Sequence, residues 1–293
     1  MNCNICPREC GADRETEKGV CGCGEKIRIS RAAPHFWEEP PISHKNGSGT
    51  IFFSGCNLKC VFCQNREISR RACGKEITAE RLFEIFKELK AQGVHNINLV
   101  TPTHYTEQLI PVLKRAKEEK LGLPIVWNSG GYEKAETLKL LDGLVDIYLP
   151  DLKYIRPGTA LKYSAAEDYF EHASAAIDEM VRQCGNEVIH RGTMRRGVIV
   201  RHLVLPGHID ESMEIIDYLH SRYGNSIYIS IMNQYTPIDE IKDTYPEIYR
   251  TVTEKEYGRV LEFARNIGVE KAFVQYGETA KESFIPPFDN TGI

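Results

Sequence analysis

Three observations predict an α/β fold in which a parallel sheet curves into a partial barrel, (β/α)6 of the TIM type. Short apolar runs alternate with amphipathic helical stretches between residues 50 and 268. Strands joined in this way pair in parallel through right-handed crossovers. Several runs are apolar along their whole length, as strands covered on both faces are. The residues that follow the runs are unusually polar, and barrels of this kind carry their sites at the C-terminal ends of their strands. Six units fall two short of the full eight.

The elements follow in order. Residues 1–30 read as a Cys-rich metal-binding knuckle, too short to hold a core of its own, so a metal would supply its folding energy. Residues 31–49, with Pro34, Pro40, Pro41, Gly47 and Gly49, read as a connector whose Phe36 and Trp37 dock on the main body. The barrel spans 50–268. Its first strand is Thr50–Ser54, followed by a helix with Thr78 near its start and Leu82, Phe83, Phe86 and Leu89 on one face. The second strand is Ile97–Val100, and Thr106 is a candidate cap for a helix carrying Leu109, Ile110, Leu113 and Ala116. Ile125–Trp127 is the third strand, with a short helix around Leu138 and Leu141; Val145–Leu149 is the fourth. Ser164-Ala165-Ala166-Glu167 has the capping-box pattern and opens the next helix. The fifth strand is Val198–Leu203, with Asp210 capping its helix. Ile227–Ile231 is the sixth, and Thr253-Glu254-Lys255-Glu256 is a second capping box, opening a helix that ends at Gly268. Residues 269–293 are expected to lie over the barrel as a tail.

The totals narrow the function. The formal charge of −4 offers no basic field to nucleic acid. No apolar run reaches the length of a membrane span, and Met1–Cys6 lacks the pattern of a signal peptide. Ten cysteines without a secretion signal argue for metal or redox chemistry in a reducing cytoplasm.

Two cysteine groups carry that chemistry. Cys56-x3-Cys60-x2-Cys63 follows the first strand in a loop tight enough to aim three thiolates at one centre. A structural zinc site closes itself with four protein ligands, and a cubane iron–sulfur cluster also wants four. Three thiolates on a cubane leave one iron open to a small molecule. A zinc knuckle with its fourth ligand elsewhere is the alternative. The second group, Cys3, Cys6, Cys10 and Cys21, suits zinc or an auxiliary iron–sulfur cluster, and free thiols are a third reading. Cys23, Cys73 and Cys184 fall outside both groups.

The three-cysteine loop, with Phe62 before its last cysteine, resembles the radical S-adenosylmethionine (SAM) superfamily. That resemblance implies a [4Fe-4S] cluster on Cys56, Cys60 and Cys63 and SAM on its open iron. It also implies reductive cleavage of SAM to a 5′-deoxyadenosyl radical. Asn128-Ser129-Gly130 after the third strand and Asp151-Leu152-Lys153 after the fourth resemble the activating enzymes of glycyl-radical enzymes, the pyruvate formate-lyase type. On that resemblance Asn128, Ser129, Asp151 and Lys153 lie near SAM and Phe62 contacts its adenine. Thr101 and Thr103 stand where the family has Gly-Gly-Glu-Pro for the SAM ammonium, and a hydroxyl is the weaker partner. The knuckle, the barrel and Thr101-Pro102-Thr103-His104 together look most like the activase-related branch often called PflX-like.

Each residue also has a plainer reading. Asp151 and Lys153 share one side of a strand and fit a surface ion pair. Arg201, inside an apolar run, needs a partner: a SAM or substrate carboxylate, Asp151, or a structural acid. His104 and His202 suit satisfied structural histidines. The expected substrate is a protein glycine, a peptide or a small molecule, with a flavodoxin- or ferredoxin-type reductant. The alternative is a non-catalytic iron–sulfur or zinc protein acting as electron carrier or interaction module, for which polar strand ends have no use. Ordinary methyl transfer would not need an open-iron loop.

Overall fold

A computed structural model describes residues 2–71, 73–275 and 285–293. Met1 of the expected knuckle and residues 276–284 of the expected tail lie outside the described residues.

The knuckle leads into β1 (Arg28–His35), the short α1 (Pro40–Ser43) and β2 (Ser48–Phe53). Next come α2 (Arg66–Arg71), β3 (Lys75–Glu76) and α3 (Ala79–Ala91). The repeating part follows as β4 (Ile97–Val100), α4 (Thr106–Glu118), β5 (Ile125–Ser129), α5 (Ala135–Lys139), β6 (Ile147–Pro150), α6 (Pro157–Ser164) and α7 (Tyr169–Cys184). The chain closes with β7 (Val188–His190), β8 (Thr193–Leu203), α8 (Ile209–Tyr223), β9 (Tyr228–Met232), α9 (Glu254–Asn266) and β10 (Ala272–Val274).

The main sheet runs in the order β10-β9-β8-β6-β5-β4-β2-β1-β3. From β2 to β10 every neighbouring pair is parallel, as the helical crossovers require. β1 pairs antiparallel with β2 on one side and with β3 on the other.

Alternation along the strands builds two cores. Ile51, Phe53, Leu99, Trp127, Tyr148, Val200 and Ile229 point to the helix layer and join the large core with Phe86, Leu113, Ile177 and Ile216. The alternate positions Val126, Ile147, Leu149 and Ile199 face the other way, into the lumen, with Met194. Ile42 of α1 inserts among them, so α1 plugs the lumen from one end. The same alternation turns Asn98, Asn128, Asp151, Arg201 and Ser230 to the lumen, Asn98 and Asn128 opposite Val126 and Leu149 and the other three beyond the apolar layer. Thus the period-2 pattern that builds the sheet also stacks a polar storey on an apolar one.

Several local readings change. Ser164 does not open a helix; it ends α6, with Ala165 in the left-handed region at φ 48°. The Ser164 hydroxyl meets Tyr154 Oη at 2.8 Å instead of capping, and α7 starts after Asp168. Thr106 and Asp210 lie inside the first turns of α4 and α8 and do not cap them. Thr78 and Thr253 do cap, the latter with Glu256 in a complete capping box. Residues 31–49 carry most of β1 and all of α1, not an irregular connector alone. Pro34 is tolerated in β1 because β3 pairs only with Arg28 and Ile29, so no second neighbour asks for its missing N–H. β10 adds a seventh parallel strand where a tail was expected. Residues 285–293 return to β1: Asn290 donates to the Ser30 carbonyl and Ala32 to that of Thr291. Phe36 and Trp37 stay largely exposed, at 53% and 62%, with the Phe36 ring against Gly47 and Trp37 at the edge of a cavity.

Candidate active site

The cysteine loop leaves the C-terminal end of β2. Gly55 starts the turn at φ +85°, and a Cβ there would collide with Cys23 Sγ and the Cys21 carbonyl. The three thiols Cys56, Cys60 and Cys63 are free and within electrostatic reach of one another. Burial pushes the Cys63 thiol up to about 11, and the charges of Cys60 and Cys56 add to it. Burial and then Cys60 raise Cys56 likewise, while Lys153 opposes. Three thiols crowded at one buried spot are costly as bare thiolates and favourable as ligands to a cation. Among the described residues no three His, Cys, Asp or Glu are grouped to hold one metal ion. A structural zinc closes itself with four protein ligands, whereas a four-iron cube held by three thiolates keeps one iron for another ligand. The donor set therefore fits the cluster, with one iron left to a small molecule. Ser69 Oγ donates to Cys63 Sγ at 3.4 Å, and the Leu58 amide to Cys56 Sγ at 3.4 Å; both would stabilise thiolate ligands.

The polar strand ends next to this loop form one network. Arg201 Nε donates to Asp151 Oδ1 at 2.8 Å, and its Nη2 to Asn128 Oδ1 at 2.7 Å. Lys153 Nζ bonds the other Asp151 oxygen. Burial pushes the Asp151 carboxyl up, but Arg201 and Lys153 outweigh it and hold it below the ordinary aspartate value. Asn128, Asp151, Lys153 and Arg201 are thus brought together, and Lys153 also feels the Cys60 charge. Gly131 (φ +79°) lets β5 turn away here, because a Cβ would strike the Asp151 carbonyl oxygen and meet Tyr169 Oη at 3.1 Å.

Other residues expected in the site lie differently. Thr103 and Ser129 spend their hydroxyls on buried Glu133, which Trp127 Nε1 also bonds at 2.9 Å. Burial raises the Glu133 carboxyl against these three donors. Thr101 ends β4 at φ 59°, a strained conformation for a β-branched residue. Phe62 is buried edge-on against Tyr235 and Tyr163, centroids 5.8 and 6.3 Å apart. His202 is satisfied at both nitrogens, by the Leu152 carbonyl and Ser212 Oγ. His104 Nε2 meets the Ser54 carbonyl at 2.8 Å, and its Nδ1 has no partner among the described residues.

The knuckle is laced to the same loop. The Cys56 amide donates to the Cys21 carbonyl at 3.2 Å, and Arg8 bonds the carbonyls of Asn57, Leu58, Ser164 and Ala165. Cys10 and Cys21 both flank Gly19, where a Cβ would meet their sulfurs at 3.3 and 3.5 Å. Cys6 lies within electrostatic reach of Cys3 and Cys21, and burial pushes its thiol up to about 11.

Sequence reasoning missed two acids. Glu38 accepts from Asn98 at 2.9 Å and Asn128 at 3.4 Å, with Arg201 Nη1 at 3.5 Å. Glu39, 9% exposed, stands beside it. Burial raises both carboxyls, and Arg201 opposes. Their only signal was adjacency in a segment without a motif.

A family model described as the radical SAM superfamily matches residues 50–219. The chain belongs to the radical SAM superfamily. Membership implies a [4Fe-4S] cluster and SAM. An uncharacterized protein of Methanocaldococcus jannaschii is 33% identical over 277 residues, covering 92% of this chain and 76% of that relative. The pyruvate formate-lyase-activating enzyme of Clostridium pasteurianum is 31% identical over 110 residues, 36% of this chain and 45% of that enzyme. Among solved structures, Streptococcus suis SuiB bound to S-adenosylmethionine has a TM-score of 0.54 at 13% identity, covering 76% of this chain and 49% of SuiB. Methylornithine synthase (PylB) has a TM-score of 0.53 at 18% identity, covering 75% of this chain and 60% of the synthase. The chain thus spans about half the length of SuiB, and these identities speak to the radical SAM barrel alone. No helix of the described residues is long and apolar enough to cross a membrane.

Proposed function

We propose that this radical SAM chain reductively cleaves SAM and abstracts hydrogen from a carbon of a protein glycine, peptide or small molecule, in the manner of the activating enzymes. The observation that carries the reading is the juxtaposition of the three-thiol loop with the Asn128–Arg201–Asp151–Lys153 network. When bound, the cluster and SAM supply the 5′-deoxyadenosyl radical that takes the hydrogen. Cys56, Cys60 and Cys63 hold the cluster. Lys153 and Asp151, opposite in charge, face the carboxylate and ammonium of SAM, with Arg201 and Asn128 fixing Asp151 in place. Phe62 keeps an apolar wall for the adenine, and Thr101, Thr103 and Ser129 shape the neighbouring strand ends.

Partial likeness to the Clostridium enzyme, and 29% identity over 120 residues to a putative glycyl-radical enzyme activating enzyme of Haemophilus influenzae, support an activase-like role. Exposed Phe36 and Trp37 favour a polypeptide substrate, since large apolar side chains in water mark docking surfaces. The domain scheme is a knuckle over 1–30, a segment over 31–49 that carries most of β1 and all of α1, and a barrel over 50–268 that β10 of the C-terminal stretch extends. Cys3, Cys6, Cys10 and Cys21 hold zinc or an auxiliary cluster, and a flavodoxin- or ferredoxin-type protein delivers the electron in the cytoplasm. The test is anaerobic reconstitution followed by iron counting and assay of 5′-deoxyadenosine. Wild type should bind four irons on the loop and form 5′-deoxyadenosine on reduction. Cys60→Ala should form none, and full cleavage by that variant would sink the reading.

A further inference from the structure

A cavity of about 440 Å³ occupies the polar storey of the lumen. Its wall runs from Gln64 and Asn65, which directly follow Cys63, to Glu38 and Glu39, with Arg201 and Ser230 between. It therefore connects the cluster loop to the two acids, and its size is that of a ligand pocket.

The donors and acceptors around the acids do not balance. Glu38, Glu39 and Asp151 are three carboxylates, and Arg201 and Lys153 are the two cations that face them. Arg201 is committed, to Asp151 at 2.8 Å and Asn128 at 2.7 Å, and reaches Glu38 only at 3.5 Å. Lys153 is committed to Asp151. Two buried acceptors are left over: Glu39 Oε2 and Asn98 Oδ1 have no hydrogen-bond partner among the described residues. Asn98 is oriented by its amide, which donates to Glu38, so its orphan atom is the oxygen. Buried acceptors without donors cost free energy, and an unpaired buried carboxylate costs more. A group that brings several N–H donors and a positive charge removes both deficits together.

We infer that this cavity takes the part of the substrate that carries a protonated amine or guanidine group, seated against Glu39 and Glu38. The inference rests on the SAM reading above for its chemistry, but the charge selection is a property of the cavity itself. The reacting carbon then lies on the Gln64 side, toward the cluster loop. Neutral substrates leave the excess of carboxylates over cations uncompensated, and anionic ones add to it.

The test uses the cluster-loaded, SAM-bound, unreduced protein and isothermal titration with n-butylamine, n-butylguanidine, 1-butanol and butyrate. The two cations should bind at least tenfold more tightly than the alcohol or the acid. Glu39→Gln, close to isosteric, should lose at least tenfold in n-butylamine affinity and keep SAM affinity within twofold. A second measurement needs no variant. Glu39 is raised by burial, and protonating it removes the charge that pairs with an ammonium, so n-butylamine affinity should fall as pH is lowered. The charged groups that act on Glu39 are Arg201 and Glu38, Ser230 bonds its carboxylate, and His35 lines the same cavity. Burial and then Arg31 pull His35 down to about 4, so it adds no positive charge to the cavity near neutrality. Equal affinity for butyrate and n-butylamine, unchanged n-butylamine affinity in Glu39→Gln, or an n-butylamine affinity that does not fall as pH is lowered would each overturn the inference. Wild type that selects n-butylamine yet fails to bind SAM would uphold the cavity and overturn the cofactor reading.

Discussion

Arg201→Met is the most informative single change to the lumen. Arg201 is 16% exposed as a side chain and Asp151 12%, so their 2.8 Å contact is largely shielded from water. Removing the guanidinium strips Asp151 of one of its two cations, Asn128 Oδ1 of its donor, and Glu38 of its nearest charge. Breaking such a buried pair from one side costs about 3–5 kcal/mol. At a urea slope of about 3 kcal/mol per M, the unfolding midpoint should fall by roughly 1 to 1.7 M at pH 7. The effect has a defined pH window. Asp151 is held below the ordinary aspartate value in the folded state, so its contribution is complete above the unfolded pKa of about 3.9 and disappears as pH falls through the folded value. Wild type and Arg201→Met should therefore differ most near neutrality and converge in acid. The assay is equilibrium urea unfolding under anaerobic conditions, by far-UV circular dichroism, across pH 3 to 7. A cycle with Asp151→Asn and the double variant isolates the pair, with an expected coupling of about 2 kcal/mol. A loss under about 1 kcal/mol with coupling near zero would refute the claim that this pair organises the lumen.

Lys153→Ala should weaken SAM binding roughly ten- to several-hundred-fold while the cluster's iron content is unchanged, since Lys153 is not a ligand. The reading is SAM titration into reduced protein by paramagnetic resonance, and an unchanged titration in both Lys153→Ala and Asp151→Ala would reduce the strand-end motif to an ion pair. A Cys56/Cys60/Cys63 triple Ala variant should still carry metal on Cys3, Cys6, Cys10 and Cys21. Zinc there would mark a structural knuckle, iron with sulfide an auxiliary cluster, and no metal would exclude both.

Much of the barrel was legible because packing repeats along it. Each strand between helices must bury both faces, and that demand writes the apolar runs of β4, β6, β8 and β9. Lys153 and Asp151 were legible for a related reason: residues two apart on a strand share a side, and they do meet. Arg201 announced its need for a partner by sitting in an apolar run, and Asp151 answers it. What escaped depends on contacts distant in sequence. The Ser164 pattern is a sound local signal, but Tyr154 claims its hydroxyl first. Thr103 and Ser129 look free to greet a ligand until Glu133 arrives from the β5–α5 turn. β10 is three residues long and exists because β9 offers it an edge. Glu38 and Glu39 acquire meaning only because α1 carries them into the lumen.

Glu38, Glu39 and Ile42 all lie in the stretch between β1 and β2, upstream of residue 50 where the superfamily match begins. On the substrate reading proposed above, the two acids and the three thiols thus lie in separate pieces of the chain, while Asn128, Arg201 and Ser230 of the barrel share the cavity wall. Insertions or exchanges between His35 and Ser48 can retool the floor and wall of the chamber without moving a thiol of Cys56–Cys63. Inheritance can therefore act on the two pieces independently, and relatives that share residues 50–219 almost unchanged need not share a substrate. If the proposed cation pocket holds, sorting relatives by the acids before residue 50 should separate those that bind amines from those that do not.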